Sequence, residues 1–464
     1  MAILSPSEAA FGFEIPVAII GGGSCGLSAA LAVQHGGSDA LVLERDTTPL
    51  GTTAMSTGLI PGAGSQLQQA AGVEDSPELF TADIMKKTRG ETDEAIALAL
   101  AKASAATIDW LCDAGVPLSL VDSFLYPGHS VHRMHGSPNR TGSELMGALE
   151  QAAEAAGASI LTQARVTDLF ADDGGRVVGL RCERPDGSAE DVGCQALILA
   201  CCGFAGDPDK VAEFAPEIAD GVFFGHPGNK GDAVEWGQAL GAAVADMGAY
   251  QGHGGLADGH GIPILWPVIM EGGFQVNRAG QRFSDESRGY SEQAVDVLRQ
   301  PGHVAFTIFD SRLDALMQEF DDYRDALQAR AIRQGETAAE LAEALGVDPA
   351  GLARTLDEVA ALTENGEADA FGRRFASRPV LTPPYFGVRV TGALFHTQGG
   401  LVVNEDARVM TTEGQPLPNL FAGGGAARGI SGPSCWGYMA GNGLLTATTF
   451  GRLAGEAAAR QTTD

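Results

Sequence analysis

Three glycines, Gly21, Gly23 and Gly26, fall at GxGxxG spacing in the segment IPVAIIGGGSCGLSAALAVQHG. Glycine in that pattern gives a tight turn, lets backbone approach a pyrophosphate and lets a helix pack closely on a strand, with helix N–H groups facing the phosphates. Glu44 follows at the end of the apolar run DALVLERD, where a carboxylate could accept hydrogen bonds from both ribose hydroxyls and would repel a 2′-phosphate. The chemistry so marked is dinucleotide binding. A structural glycine turn with a solvated Glu44 is the plainer alternative.

The elements needed to position these residues can be read around them. The β-branched run from Ile15 predicts a buried strand, the Ala/Leu-rich run after the glycines a helix, and DALVLERD a second strand, which together make a strand-helix-strand unit. Residues 92–115 and 142–157 repeat at helical spacing and stop at glycine, with the polar, histidine-bearing loop SFLYPGHSVHRMHGSPNR between them. Asp/Gly turns after Val166 predict a β-meander that feeds a buried strand at 196–200. Near residue 250 the pattern changes, and acidic helical stretches dominate from Asp310 to Glu367. The expected fold is α/β: a bipartite, Rossmann-like nucleotide-binding domain (15–247 and 395–464) with an inserted α+β cap (248–394). NAD and FAD share the first glycine fingerprint. A second one, PLPNLFAGGGAARGISG followed by the helical WGYMAGNGLLTATTFGRLAGEAA, suits the longer FAD, with amides from Gly441 to Leu444 near the flavin O2.

Composition limits the partners. Thirty Lys+Arg against 59 Asp+Glu leave a net charge of −29, which opposes binding to nucleic acid or to anionic lipid surfaces. No apolar run approaches the ~18 residues that span a bilayer, and the N-terminus lacks a basic segment ahead of an apolar one. Seven cysteines without a CxxC pair point to reduced thiols and to neither a disulfide framework nor a zinc site. The expectation is a cytoplasmic protein that does not insert into membranes.

The segments GGGSCGLSAA, TTAMSTGLIPGAGS, IDWLCDAGV, LILACCGF, HPGNKGDAVEWGQALGA, VNRAGQRFSDES, HTQGGLVVNEDARV and LFAGGGAA together resemble the flavoprotein superfamily of soluble fumarate reductases and 3-ketosteroid Δ1-dehydrogenases. The resemblance runs from about residue 15 to 458. It implies FAD, a bipartite FAD domain and a cap that closes the active site. No histidine stands in the flavin-linkage zone after Thr52 and Thr53, so the resemblance favours non-covalent FAD; no CxxCH motif marks a haem domain. It carries cofactor contacts onto Gly21, Gly23, Ser24, Cys25, Gly26, Glu44, Arg45, Thr52, Thr53, Ser56 and Gly58. Further on it carries them onto Val166, Gly203, Asp232, Gly423, Gly424, Asn442, Gly443 and Leu444.

The same resemblance separates the branches. Fumarate reductases carry an arginine proton donor four residues after the glutamate of RF-x-x-E and a second, carboxylate-clamping arginine near the C-terminus; here those places hold Tyr290 and Tyr438. Ketosteroid dehydrogenases place tyrosine four after the glutamate and another in the C-terminal loop, whose ungapped slot is Gly437, one residue from Tyr438. They place a partner amide at Gly441 and a third tyrosine, matched here by Tyr126, in the early loop. Three phenols suit a ketone. Tyr438 O–H and Gly441 N–H would hold the carbonyl oxygen where enolate charge develops, Tyr290 would take the α-proton and FAD N5 the β-hydride. A phenol is a weak base at neutral pH, so Tyr126 or Arg288 would stabilise the tyrosinate. His253 and His396 fall where fumarate reductases hold a substrate carboxylate. Arg133 and Arg288 could supply positive charge. His129, His132 and His135 read as a solvated loop rather than a metal site.

The function these readings favour is an FAD-dependent dehydrogenase that places a C=C bond beside the carbonyl of a cyclic ketone, passing electrons to an unidentified acceptor. The rivals are a reductase of an unsaturated acid, of the fumarate or urocanate kind, and a flavin-binding protein without turnover.

Overall fold

The computed structural model describes residues 2–463 and divides into two compact units: residues 1–210, 225–250 and 396–464, and residues 211–224 and 251–395.

In the first unit, Phe11–Ile20 lies parallel to Ala40–Leu43, which lies parallel to Ser159–Leu161. On its other side Phe11–Ile20 pairs with Ala189–Leu199, the last strand of an antiparallel meander built from Arg165–Ala171 and Val177–Glu183. The far half of Ala189–Leu199 is also parallel to Pro416–Ala422, so residues from the end of the chain complete the same sheet. Val17–Ile20, Leu41–Leu43 and Ala196–Leu199 are all buried, as expected of parallel strands covered on both faces.

Glycines let the covering helices come close. The helix Ser24–His35 packs against Asn442–Thr463; a Cβ on Gly451 would sit 2.4 Å from the Cys25 carbonyl oxygen, and one on Gly455 2.4 Å from that of Ala29. Glu94–Asp113 begins where the Asp93 carboxylate accepts the Ala95 and Ile96 N–H groups, the N-cap that frees the first turn of orphan donors. By length and composition this helix is apolar enough to cross a membrane, contrary to the reading of the sequence. It buries Ala97, Leu100, Ala101, Ile108 and Leu111 in the core of the unit.

The second unit is built on a sheet that contains Val304–Asp310 antiparallel to both Phe274–Val276 and Tyr385–Thr397. Residues 211–224 join this unit rather than the first, because Val222–Phe223 pairs in parallel with Ala393 and Leu394. The acidic stretch after Asp310 forms Ser311–Met317, Asp321–Gln328, Ala338–Leu345 and Pro349–Asn365, capped in turn by Asp310, by Thr337 and by Asp348 where a side-chain cap forms.

Candidate active site

The glycine turn is stereochemically obligatory. Gly21 has φ +102°, and a Cβ on Gly26 would lie 1.9 Å from the Gly21 carbonyl oxygen. Gly23 caps the following helix without a side-chain acceptor, so the first helical N–H groups face outward. Glu44 is buried beside them: one carboxylate oxygen accepts the Gly22 N–H at 2.8 Å and the other the Asp46 N–H at 2.9 Å. These two bonds fix the carboxylate and leave lone pairs for ribose hydroxyls.

A solvent-open cleft lies over this turn. Of the residues expected at the cofactor, Gly21, Gly23, Ser24, Cys25, Glu44, Arg45, Thr52, Thr53, Val166, Asp232 and Gly424 line it. Gly26, Ser56, Gly58, Gly203, Gly423, Asn442, Gly443 and Leu444 are not part of that lining. Several of these serve packing instead. A Cβ on Gly203 would meet the Thr397 hydroxyl at 2.0 Å, one on Gly423 the Cys25 sulfur at 2.7 Å and one on Gly58 the Thr141 carbonyl at 2.7 Å. The Ser56 hydroxyl donates to the Thr53 carbonyl and accepts the Gly58 N–H, bracing the loop that carries Thr52 and Thr53.

Sequence reasoning assigned no role to His226, Asn229, Trp236, Cys201 or Cys202, all of which line the cleft. The first three belong to the segment HPGNKGDAVEWGQALGA, noted only for its resemblance. His226 Nε2 sits 2.6 Å from the Asp46 carboxylate while its Nδ1 accepts the Gly228 N–H; Asn229 donates to the Thr52 hydroxyl and Arg45 to the Gly228 carbonyl. Trp236 is 2% exposed and its indole N–H has no partner among the described residues. A buried donor left open in a cleft floored by glycines is the feature a bound dinucleotide would satisfy. Burial pushes the Cys25 thiol up to about 12 and the Cys201 and Cys202 thiols upward as well, so all three remain protonated at neutral pH.

The turn before Asn442–Thr463 carries the other expected residues of this unit. Gly441 has φ +82°, and a Cβ there would strike Pro61 at 2.7 Å. The His396 ring packs on Gly443, where a Cβ would lie 2.7 Å from Nε2, and meets the Tyr438 ring edge-on at 5.8 Å. Burial lowers His396 to about 4, so the imidazole is neutral. Asn442 is fully buried, with its side-chain oxygen unpartnered among the described residues; its amide donates to the Ser431 hydroxyl, which bonds Gln398.

The loop 123–140 departs from expectation. His129, Arg133 and His135 are buried rather than solvated. Arg133 pairs with Asp75 at 2.9 Å and Asp83 at 2.6 Å, so its charge is consumed and is not available to a substrate. Burial lowers His129 and His135 to about 4. Among the described residues no group of His, Cys, Asp and Glu is arranged to hold a metal ion. Tyr126 is half-buried with its ring 4.5 Å from Phe124, and burial raises its phenol further above the ordinary value.

In the second unit, Tyr290 opens the helix Tyr290–Leu298 after Gly289, whose φ of +148° is glycine territory. His253 is stacked between Phe395, at 5.2 Å and 5°, and Tyr290, at 5.3 Å and 27°, with Trp266 edge-on. Burial lowers His253 to about 3; its Nδ1 accepts the Gly255 N–H, so the proton sits on Nε2. The strand bearing His253 is tied to the helix of Tyr290 by the Gly252 N–H on the Ser291 hydroxyl and by Gln293 to Gln275 to the Gly254 carbonyl. Glu286, four residues before Tyr290, is buried between Arg282 and Arg373. Arg288 is exposed and pairs with Asp296, which argues against its expected role beside Tyr290.

Residues 16–444 match the family model described as FAD binding domain. A probable fumarate reductase of Shewanella frigidimarina is 29% identical over 97% of this chain and 75% of its own length. The open conformation of a flavocytochrome c3 fumarate reductase superposes with a TM-score of 0.82 at 28% identity, covering 99% of this chain and 80% of that one. The 3-ketosteroid-Δ4-(5α)-dehydrogenase of Rhodococcus jostii, solved with 4-androstene-3,17-dione, superposes with a TM-score of 0.79 at 26% identity, covering 98% and 99%. With the family model spanning most of its length, the chain belongs to the FAD binding domain family and is a flavin-dependent oxidoreductase acting on CH–CH groups.

Proposed function

We propose that the chain dehydrogenates a cyclic ketone, introducing a C=C bond α,β to the carbonyl. The observation that carries this reading is the lack of an available cation among the candidate residues. His253 and His396 are held neutral by burial, Arg133 is spent on two carboxylates, Arg288 is exposed and paired, and by the resemblance Tyr290 and Tyr438 take the places of a proton-donating and a carboxylate-clamping arginine. A neutral carbonyl needs hydrogen-bond donors, not cations. Tyr438 O–H and Gly441 N–H donate to the carbonyl oxygen as enolate charge develops, worth several kcal/mol in a dry site. Tyr290 takes the α-proton. When bound, the flavin accepts the β-hydride, and the electrons then pass to a separate acceptor. The FAD is held without a covalent bond, since both ring nitrogens of His226, the histidine of the cleft, are already engaged.

A second reading is reduction of the C=C bond of an unsaturated acid, favoured by the fumarate reductases among the relatives. Anaerobic mixing of the oxidised holoprotein with a panel of cyclic ketones separates the two. Flavin bleaching supports dehydrogenation. Silence with every ketone, joined to reoxidation of reduced flavin by fumarate, urocanate or acrylate, replaces it with the second reading.

A further inference from the structure

Four buried side chains in the first unit end on a single peptide group. Asp75 accepts from Arg133 Nε and Nη2, both at 2.9 Å, and Asp83 from Nη1 at 2.6 Å. Arg133 is 1% exposed, and its Nη1 also lies 3.3 Å from His129 Nδ1. A guanidinium only donates, so Nδ1 must be the bare nitrogen, and the proton of the neutral ring sits on Nε2. Nε2 in turn lies 2.9 Å from the Ala440 carbonyl oxygen, to which it donates. In a trans peptide the carbonyl and the following N–H point in opposite directions. Fixing the Ala440 oxygen therefore fixes the Gly441 N–H, which no acceptor meets among the described residues. The same loop, with the neighbouring strand Ile60–Pro61, braces that turn by packing: a Cβ on Gly441 would meet Pro61 at 2.7 Å and Met134 at 3.2 Å, and one on Gly128 would meet Met439 at 2.8 Å.

We propose that His129 is a positioning residue: Asp75 and Asp83 hold Arg133, Arg133 holds His129 in one tautomer, and His129 turns the Ala440–Gly441 peptide so that its N–H is presented to an oxyanion. The assignment rests on the reading of Gly441 as an oxyanion donor given above. It accounts for a buried arginine and a buried histidine that touch no cofactor residue. It also explains why a loop far from the glycine fingerprint carries so much polar structure.

The test compares FAD-loaded wild type, His129→Phe and His129→Gln in binding 4-nitrophenol, followed by the absorbance of its phenolate, with 4-nitroanisole as the neutral control. Phenylalanine keeps the ring and removes the donor; glutamine returns an N–H at the position of Nε2. The expected result is phenolate affinity lowered about tenfold in His129→Phe, less than the ~10²–10³-fold cost of removing an oxyanion donor outright, because the Gly441 N–H is misplaced rather than lost. Glutamine should recover most of it, with 4-nitroanisole affinity unchanged in all three. Where His129→Phe does not load with flavin, His129→Asn, whose shorter amide reaches Arg133 but not Ala440, gives the same comparison. Equal phenolate affinity in wild type and variant overturns the positioning role. So does a parallel loss of 4-nitroanisole, which marks general distortion. A wild type that binds no phenolate at all overturns the oxyanion reading of Gly441 and this inference with it.

Discussion

Each unit of the molecule buries one charge against two of the opposite sign. In the first unit Arg133 lies between Asp75 and Asp83; in the second Glu286 lies between Arg282 and Arg373, with Asp369 on Arg282. The difference is in what remains over. Glu286 is saturated: it also accepts the Gln275 N–H at 2.8 Å, and although burial opposes its ionisation, Arg373 and Arg282 hold it below the usual carboxylate range. It fixes the turn that precedes Tyr290 and passes nothing on. Arg133 keeps a donor for His129 and so transmits its placement to the Gly441 turn. A buried ion cluster can therefore be a strut or a link in a chain, and the count of unspent hydrogen-bond donors tells which.

The largest separation between the units is expected in acid. His129, His135 and His396 in the first unit are lowered to about 4, and His253 in the second to about 3. An unfolded histidine titrates near 6.5, so below that pH the unfolded chain binds the extra protons. Stability is thus complete above pH ~6.5 and falls as the pH drops toward 4, with the first unit losing more. Hydrogen exchange at pH 7 and pH 5, corrected for intrinsic rates, should show amides around 129–135 and 396 deprotected before those of 253–257. Uniform protection at both pH values contradicts this.

Next in size is removal of the central charge. Arg133→Met leaves two carboxylates facing one another and Glu286→Gln leaves two arginines undercompensated, so each should cost about 3–5 kcal/mol in urea unfolding of the holoprotein. Only Arg133→Met should also weaken phenolate binding. An equal effect of both variants on phenolate affinity removes the distinction between strut and link.

Tyr290→Phe, which leaves both clusters intact, should slow ketone-driven flavin reduction about 10²-fold or more in stopped flow without loosening FAD. An unchanged rate would rule out Tyr290 as the base. Smallest is Arg288→Ala: an exposed pair with Asp296 contributes ~0–1 kcal/mol, and the midpoint of unfolding should barely move.

What the sequence disclosed was local. The strand, glycine turn and helix around Gly21, and the acid at Glu44, announce themselves because each depends on neighbours a few residues away. His129 and Arg133 did not, since a histidine in a polar loop looks solvated until Asp75 and Asp83 are brought over it by the fold. Glu94–Asp113 looked unremarkable as a run of residues, yet as a helix its apolar content is that of a membrane span, and only tertiary packing shows its face in the core. His226 and Trp236 escaped notice because a cleft is a property of many separated segments at once.

The turn after the strand Pro416–Ala422 supplies Gly424 and Gly425 to the wall of the cofactor cleft and the helix Asn442–Thr463 supplies Ala447, while the first residues of that cleft begin at Ile20. During synthesis the glycine fingerprint therefore leaves the ribosome long before the wall that faces it. Until residues beyond 416 emerge, one edge of Leu197–Leu199 has no strand beside it and the cleft lacks the wall made by Gly424, Gly425 and Ala447. Cofactor capture belongs to the end of translation, and a chain cut short before Asn442 should accumulate colourless.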